Sequence, residues 1–163
     1  MILPEKHRNM LNLYLPQKSE LWFRRMLLAD PETMSYNAAW GGALDFPEED
    51  WDDWYDHWIA RNEGKRYYRY LRTEGGDFVG EAAYHLDESR GLYLANVIVY
   101  APFRRRGHGR EALELLCRAA KERGVSVLHD DMASGNPARA LFESAGFTEE
   151  YRTDEFVMLK KVL

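Results

Sequence analysis

Val97-Ile-Val-Tyr-Ala-Pro-Phe-Arg-Arg-Arg-Gly-His-Gly-Arg-Glu-Ala-Leu113 passes from a β-branched run through a basic turn with two glycines into a helical pattern. This is the layout of a strand that delivers an anionic ligand to the start of a helix. The first amides of a helix lack intrahelical partners and lie at the positive end of its dipole, and glycine lets a phosphate approach that backbone closely. Arg104, Arg105, Arg106 and Arg110 add fixed positive charge at the same place. No Gly-Lys-Ser/Thr follows the glycines, so the turn is not that of a nucleotide triphosphatase.

Residues 92–100 form the strand that enters this turn, and the helix leaving it runs over 107–123, where Gly124 stops it. Leu113, Leu116, Cys117 and Ala120 make its inner stripe. A strand over 125–130 completes a strand-helix-strand unit, whose two strands are parallel. Asn136-Pro137 starts another helix and Gly146 ends it; 148–163 reads as two short strands or a hairpin. Upstream, two strands over 67–71 and 78–84 flank the turn Glu74-Gly-Gly-Asp77. Before them come a short strand at 11–15, a helix over 19–28 and a helical segment around 32–37. A last helix carries Trp51, Trp54, Tyr55, Trp58 and Ile59 at helical spacing, behind a capping box at Asp45 and Glu48.

A chain of 163 residues with 45% hydrophobic and 30% charged residues is expected to form one domain around an ordinary core. Residues 1–64 form its N-terminal strand and helices and 65–163 its sheet. The opening Met1-Ile-Leu-Pro-Glu-Lys-His7 lacks the apolar run of a signal peptide or membrane span, so a cytoplasmic protein without a membrane partner is expected. A net charge of −5 argues against a general nucleic-acid binder and makes the arginine cluster local in purpose. Cys117 is a small buried hydrophobe, and the five histidines show no metal-ligand spacing, so no metal is expected. The segment 45–56 holds seven carboxylates and no basic residue. Amphipathic spacing assigns its aromatics to a buried stripe and its acids to the solvated face.

Two motifs coincide downstream of the basic turn. Arg104-x-x-Gly107-x-Gly109, followed by Asn136-Pro-x-x-Ala140-Leu-Phe142-x-x-x-Gly146-Phe147, resembles the GNAT superfamily of acyl-CoA-dependent N-acetyltransferases. The resemblance implies an α/β (α+β) fold: a mixed, mostly antiparallel seven-stranded sheet with a splayed parallel central pair, flanked by about four helices. It implies acetyl-CoA as acyl donor in the splay, with Val97, Ile98 and Val99 along the pantetheine. The pyrophosphate would sit at the turn of Arg104, Arg105, Arg106, Gly107, His108, Gly109 and Arg110, and Asn136 and Phe142 would lie beside the arm. The side chains of Arg104, Arg105 and Arg106 either hold that turn or meet a ribose phosphate.

Acetyl transfer needs a neutral amine, and deprotonating a lysine-like amine of pKa about 10.4 at pH 7 costs about 4.6 kcal/mol. Asp130, at a strand position usually apolar in the family, or Asp131 beside it, is the candidate amine anchor or proton acceptor, with Glu81 and His85 next. Phe142 stands where many members carry a tyrosine that protonates the leaving thiolate. Either another group, with Tyr84, Tyr93 and Tyr151 as candidates, or solvent protonates it, or no acid is needed because a thiol of pKa about 8.5 is already a tolerable leaving group. The resemblance also implies that a backbone N–H of the splayed strand, in the neighbourhood of Val99, donates to the carbonyl oxygen. The expected reaction is direct acetyl transfer to a small-molecule primary amine by a monomer or homodimer. Acetylation of a protein or peptide amine, and an acyl-CoA sensor without catalysis, are the alternatives.

Overall fold

The computed structural model describes residues 10–163; the opening stretch read for a leader, Met1 to His7, lies outside them. Seven strands form one sheet in the order β1-β2-β3-β4-β5-β7-β6. They are β1 (Leu11–Tyr14), β2 (Arg66–Thr73), β3 (Phe78–Asp87), β4 (Leu92–Val99), β5 (Val127–Ala133), β6 (Thr148–Arg152) and β7 (Phe156–Val162). The helices are α1 (Trp22–Ala29), α2 (Trp51–Tyr55), α3 (His108–Glu122) and α4 (Arg139–Ser144), with short 3₁₀ turns between. This is the expected GNAT-like architecture, and the turn at Gly76 closes the β2–β3 hairpin as its glycines predict.

Every neighbouring pair is antiparallel except β4 with β5. That pair is joined at two positions only, Tyr93 with Leu128 and Leu94 with His129. Beyond them the strands part, so β4 from Ala95 onward has a strand on one edge and an opening on the other. The amide of Tyr100 bonds the Val79 carbonyl of β3 at 2.8 Å. By the alternation of a strand, the backbone groups of Val97 and Val99 therefore point away from β3, into that opening.

The two faces of the sheet bury separate cores. Leu113, Leu116, Cys117 and Ala120 of α3 are all buried with Leu128, Met132, Phe142 and Phe147 on one side. On the other, Phe23, Leu27 and Leu28 of α1 meet Tyr68, Tyr70 and Ile98, with Trp51, Trp54 and Trp58 packed against them. The tryptophans of the acidic segment thus belong to the core. Its acids face outward, Asp52 pairing with Lys18 and Asp56 with Arg61.

Several boundaries move. The first helix begins at Trp22 rather than at 19, after a 3₁₀ turn (Lys18–Glu20) whose Glu20 accepts the Gln17 amide at 2.9 Å. The Asp45–Glu48 capping box does not form: α2 follows a 3₁₀ turn (Glu48–Asp50), and the Phe46 carbonyl accepts the Trp51 indole N–H at 3.0 Å. α2 continues with i→i+5 bonding over Asp56–Ala60. The segment near 32–37 becomes a 3₁₀ stretch (Ser35–Trp40). β5 runs to Ala133, so Asp130 and Asp131 lie in mid-strand, where the pairing with β4 has just ended.

Candidate active site

A cavity of about 770 Å³ opens where β4 and β5 part. Its floor is the open edge of β4, residues 94–99, and one end is the turn between β4 and α3. Here α3 starts behind Gly107 at φ +80°, with Arg105 also left-handed at φ +66°. The first α3 amide bonded within the helix turn is that of Glu111, to the Gly107 carbonyl at 3.2 Å. The amides of His108, Gly109 and Arg110 are thus left for an anion, as helix geometry requires.

The two glycines do different work. A Cβ on Gly107 would meet nothing within 4 Å, whereas one on Gly109 would stand 2.9 Å from Leu141 Cδ2. Gly107 keeps space open at the turn, while Gly109 lets α3 approach α4. Arg105 and Arg110 line the cavity and Arg106 does not: its guanidinium lies over the Phe103 ring, 5.5 Å from the centroid. Arg104 also lines the cavity, but its guanidinium is occupied, donating to the carbonyls of Glu32 (3.1 Å) and Thr33 (2.6 Å). These bonds tie the turn to the 32–33 segment. His108 is buried, its Nδ1 lacks a partner, and burial lowers its pKa, which keeps the ring neutral.

Val97, Ile98, Val99, Asn136 and Phe142 line the same cavity. Asn136 Oδ1 accepts the Ala138 amide at 2.8 Å, which shapes the turn before α4. Phe142 packs edge-on against Phe147, with 5.0 Å between centroids.

The cavity is also lined by Asp130, Asp131, His85, Ser35, Tyr36, Asn37 and Trp40. Asp130 is half-buried, lines the cavity, and has no hydrogen-bond partner among the described residues. Burial first, and the charge of Asp131 second, push its carboxyl well above the usual carboxylate range. Asp131 differs: Arg90 Nη2 bonds it at 2.8 Å while also pairing with Asp87 at 2.7 Å. His85, half-buried beside Trp58 (5.8 Å between rings), is lowered in pKa mainly by burial.

Two of the expected catalytic residues lie elsewhere. Glu81 is 2% exposed on the α1 side of the sheet, where Arg24 Nη1 donates to it at 2.7 Å and the Tyr68 hydroxyl donates to the same oxygen. The Arg24 guanidinium lies over Trp54, Phe46 and Tyr68, at 4.6, 5.1 and 5.4 Å from the centroids. Burial opposes its charge, and Glu81 and Tyr68 outweigh burial. Tyr84 is buried on the α3 side, stacked on Tyr67 at 5.2 Å and edge-on to Tyr93. Neither lines the cavity, and Tyr93 and the exposed Tyr151 do not line it either. Conversely, nothing in the sequence marked Tyr36 or Trp40, whose place at the cavity follows from the fold of the α1–α2 connection. Among the described residues no group of three His, Cys, Asp or Glu is placed to hold a metal ion.

Residues 10–147 match the acetyltransferase (GNAT) family. The chain belongs to that family. Over 99 residues it is 35% identical to the [ribosomal protein bS18]-alanine N-acetyltransferase of Escherichia coli K12, a match spanning 59% of this chain and 65% of that relative. Among solved structures, spermidine N-acetyltransferase from Vibrio cholerae, in complex with CoA and spermine, superposes with a TM-score of 0.75 at 17% identity. That likeness covers 95% of this chain and 96% of the other. Ribosomal-protein-alanine N-acetyltransferase from Brucella melitensis gives 0.72 at 23% identity, covering 94% and 99%. At these identities the structural likeness shows the shared fold. Within this GNAT protein no helix of the described residues is long and apolar enough to cross a membrane.

Proposed function

We propose that this GNAT protein transfers the acetyl group of acetyl-CoA directly to a primary amine. The observation that carries the reading is one cavity joining three elements: the anion-ready start of α3, the open edge of β4, and an unpartnered carboxylate at Asp130. The pyrophosphate sits on the amides of residues 108–110, with Arg105 and Arg110 beside it. The pantetheine pairs with the outward backbone of Val97, and the Val99 N–H donates to the thioester oxygen as negative charge develops there.

Asp130 accepts the proton of the incoming ammonium. Its raised affinity for protons brings it closer to the amine than an ordinary carboxylate, and so lowers the cost of deprotonation. Asp131, tied to Arg90, adds negative charge that attracts the cation. The acceptor enters beside Tyr36, Trp40 and His85, and the whole reaction belongs to the cytoplasm. A small-molecule primary amine fits an acceptor end walled by a few side chains. A polypeptide N-terminus is the second reading, supported by the activity named for the Escherichia coli relative.

Thiol release from acetyl-CoA, measured against a panel of small primary amines and of short peptides with free N-termini, tests both. Turnover with the small amines is the expected result, and turnover with the peptides alone selects the second reading. CoA binding without turnover on any amine would overturn both in favour of a sensor.

A further inference from the structure

The sulfur that leaves an acetyl thioester carries negative charge as its bond to carbon breaks, and Phe142 has no proton to set against it. Tyr84, Tyr93 and Tyr151 do not line the cavity, whereas Tyr36 does, and it is the only tyrosine of the described residues in that position. The Tyr36 ring packs against the α1-side core, which fixes the phenol in place. Its hydroxyl has no hydrogen-bond partner among the described residues. Lining the cavity without a protein partner, the hydroxyl can bond a group bound there.

The connection that carries Tyr36 is fastened to the donor turn. Arg104 donates to the Glu32 and Thr33 carbonyls, and the Ala101 amide donates to Thr33 Oγ1 at 2.9 Å. A phenol on this connection therefore keeps a set position relative to whatever the donor turn holds. Burial first, then the charges of Glu81 and Asp130, raise the Tyr36 pKa, opposed more weakly by Arg104 and Arg24. The hydroxyl thus keeps its proton at neutral pH, carried by a residue that lines the cavity.

We propose that the Tyr36 hydroxyl donates a hydrogen bond to the CoA sulfur as the carbon–sulfur bond breaks, acting from the α1–α2 connection where Phe142 on α4 cannot. The amine lone pair forms the carbon–nitrogen bond, and the carbon–sulfur electron pair leaves on sulfur. The proton shed by nitrogen goes to Asp130. That proton, the second that nitrogen gives up, returns through solvent to the thiolate. The first, taken from the ammonium and passed by Asp130 to solvent before attack, is the one proton released per ammonium acetylated, and Tyr36 ends with its own proton. The assignment rests on the acetyl-transfer reading above.

Tyr36→Phe keeps the ring and removes only the donor. With acetyl-CoA its kcat is expected to fall about a hundredfold, the scale set by removing one preorganised donor, while CoA affinity stays unchanged. With S-phenyl thioacetate, whose aryl thiol leaves readily unaided, the same variant should match the unsubstituted protein. Equal slowing with both donors would overturn the assignment, because a structural defect does not depend on the leaving group. A kcat within twofold of the unsubstituted protein with acetyl-CoA would overturn it too, leaving acetyl transfer standing. An unsubstituted protein that binds CoA and acetylates no amine would instead sink the reaction itself.

Discussion

Glu81 and Asp130 stand on the strands that flank β4, and both are carboxylates drawn into the protein, yet their surroundings are opposite. Glu81 meets Arg24 and Tyr68 and is closed off from the cavity. Asp130 meets the cavity and feels the charge of another carboxylate, Asp131. A buried charge with a full set of partners holds structure together, while one left without them has its proton affinity displaced and faces whatever enters. The same contrast recurs in the two glycines: the space before Gly107 is empty and that before Gly109 is taken by Leu141.

Asp130→Asn carries the largest expected effect. Removing a proton acceptor lowers kcat/KM by about 10²- to 10⁴-fold, with global stability undiminished, and a loss under threefold would place the base elsewhere. Its pH dependence sharpens the point. A folded pKa above the unfolded value of about 3.9 means that the folded state binds the proton more tightly. The unsubstituted protein therefore loses stability as pH rises from about 4 through the raised pKa, and the Asn variant lacks that slope. Activity moves the other way, rising with pH through the same pKa as the carboxylate forms. Denaturant melts and kcat/KM profiles of both proteins over pH 4–9 measure the two trends.

Glu81→Gln comes second and reverses the pattern. It strands the Arg24 guanidinium among aromatics and is expected to destabilise the fold by about 3–5 kcal/mol, read from chemical denaturation. The folded fraction should turn over at close to the normal rate, and a stable but inactive Glu81→Gln would erase the distinction between the two acids.

The glycines supply the smallest effects. Gly107→Ala forces a side chain into a left-handed backbone, at about 1–2 kcal/mol, and its methyl enters the space kept for the anion, so CoA affinity falls. Gly109→Ala overpacks Leu141 at about 1–3 kcal/mol and should weaken CoA binding less. Calorimetric titration with CoA ranks them, and the reverse order would show that Gly109, not Gly107, borders the ligand.

How far the residues alone reached follows from which forces are local. The parallel β4–α3–β5 unit was legible because β-branched runs, a glycine stop and a 3.6-residue stripe are local signals, and the basic turn was legible because charge and glycine are read directly. The reach of β5 to Ala133 was not, since pairing with β7 extends it beyond what its own residues announce. The cap at Asp45 failed for a similar reason: the Phe46 carbonyl holds the Trp51 indole, and packing rather than capping sets where α2 begins.

Glu81 and Tyr84 show the limit most plainly. Their sequence places them on a strand next to β4, and period-two alternation puts them on opposite faces, but the faces themselves are assigned by which helix covers each. Asp130 could be singled out because a carboxylate between Leu128 and Met132 breaks an apolar pattern. Tyr36 could not, because an aromatic in a turn-forming segment is ordinary. By itself, the sequence determined the order of elements, the anion-binding turn and the misplaced carboxylate, all matters of neighbours along the chain. Only the tertiary structure decided which acid is neutralised, which glycine faces empty space and which tyrosine reaches the cavity. Those outcomes depend on partners brought from far along the chain: Arg24 to Glu81, Leu141 to Gly109, and Arg104 to the connection that carries Tyr36.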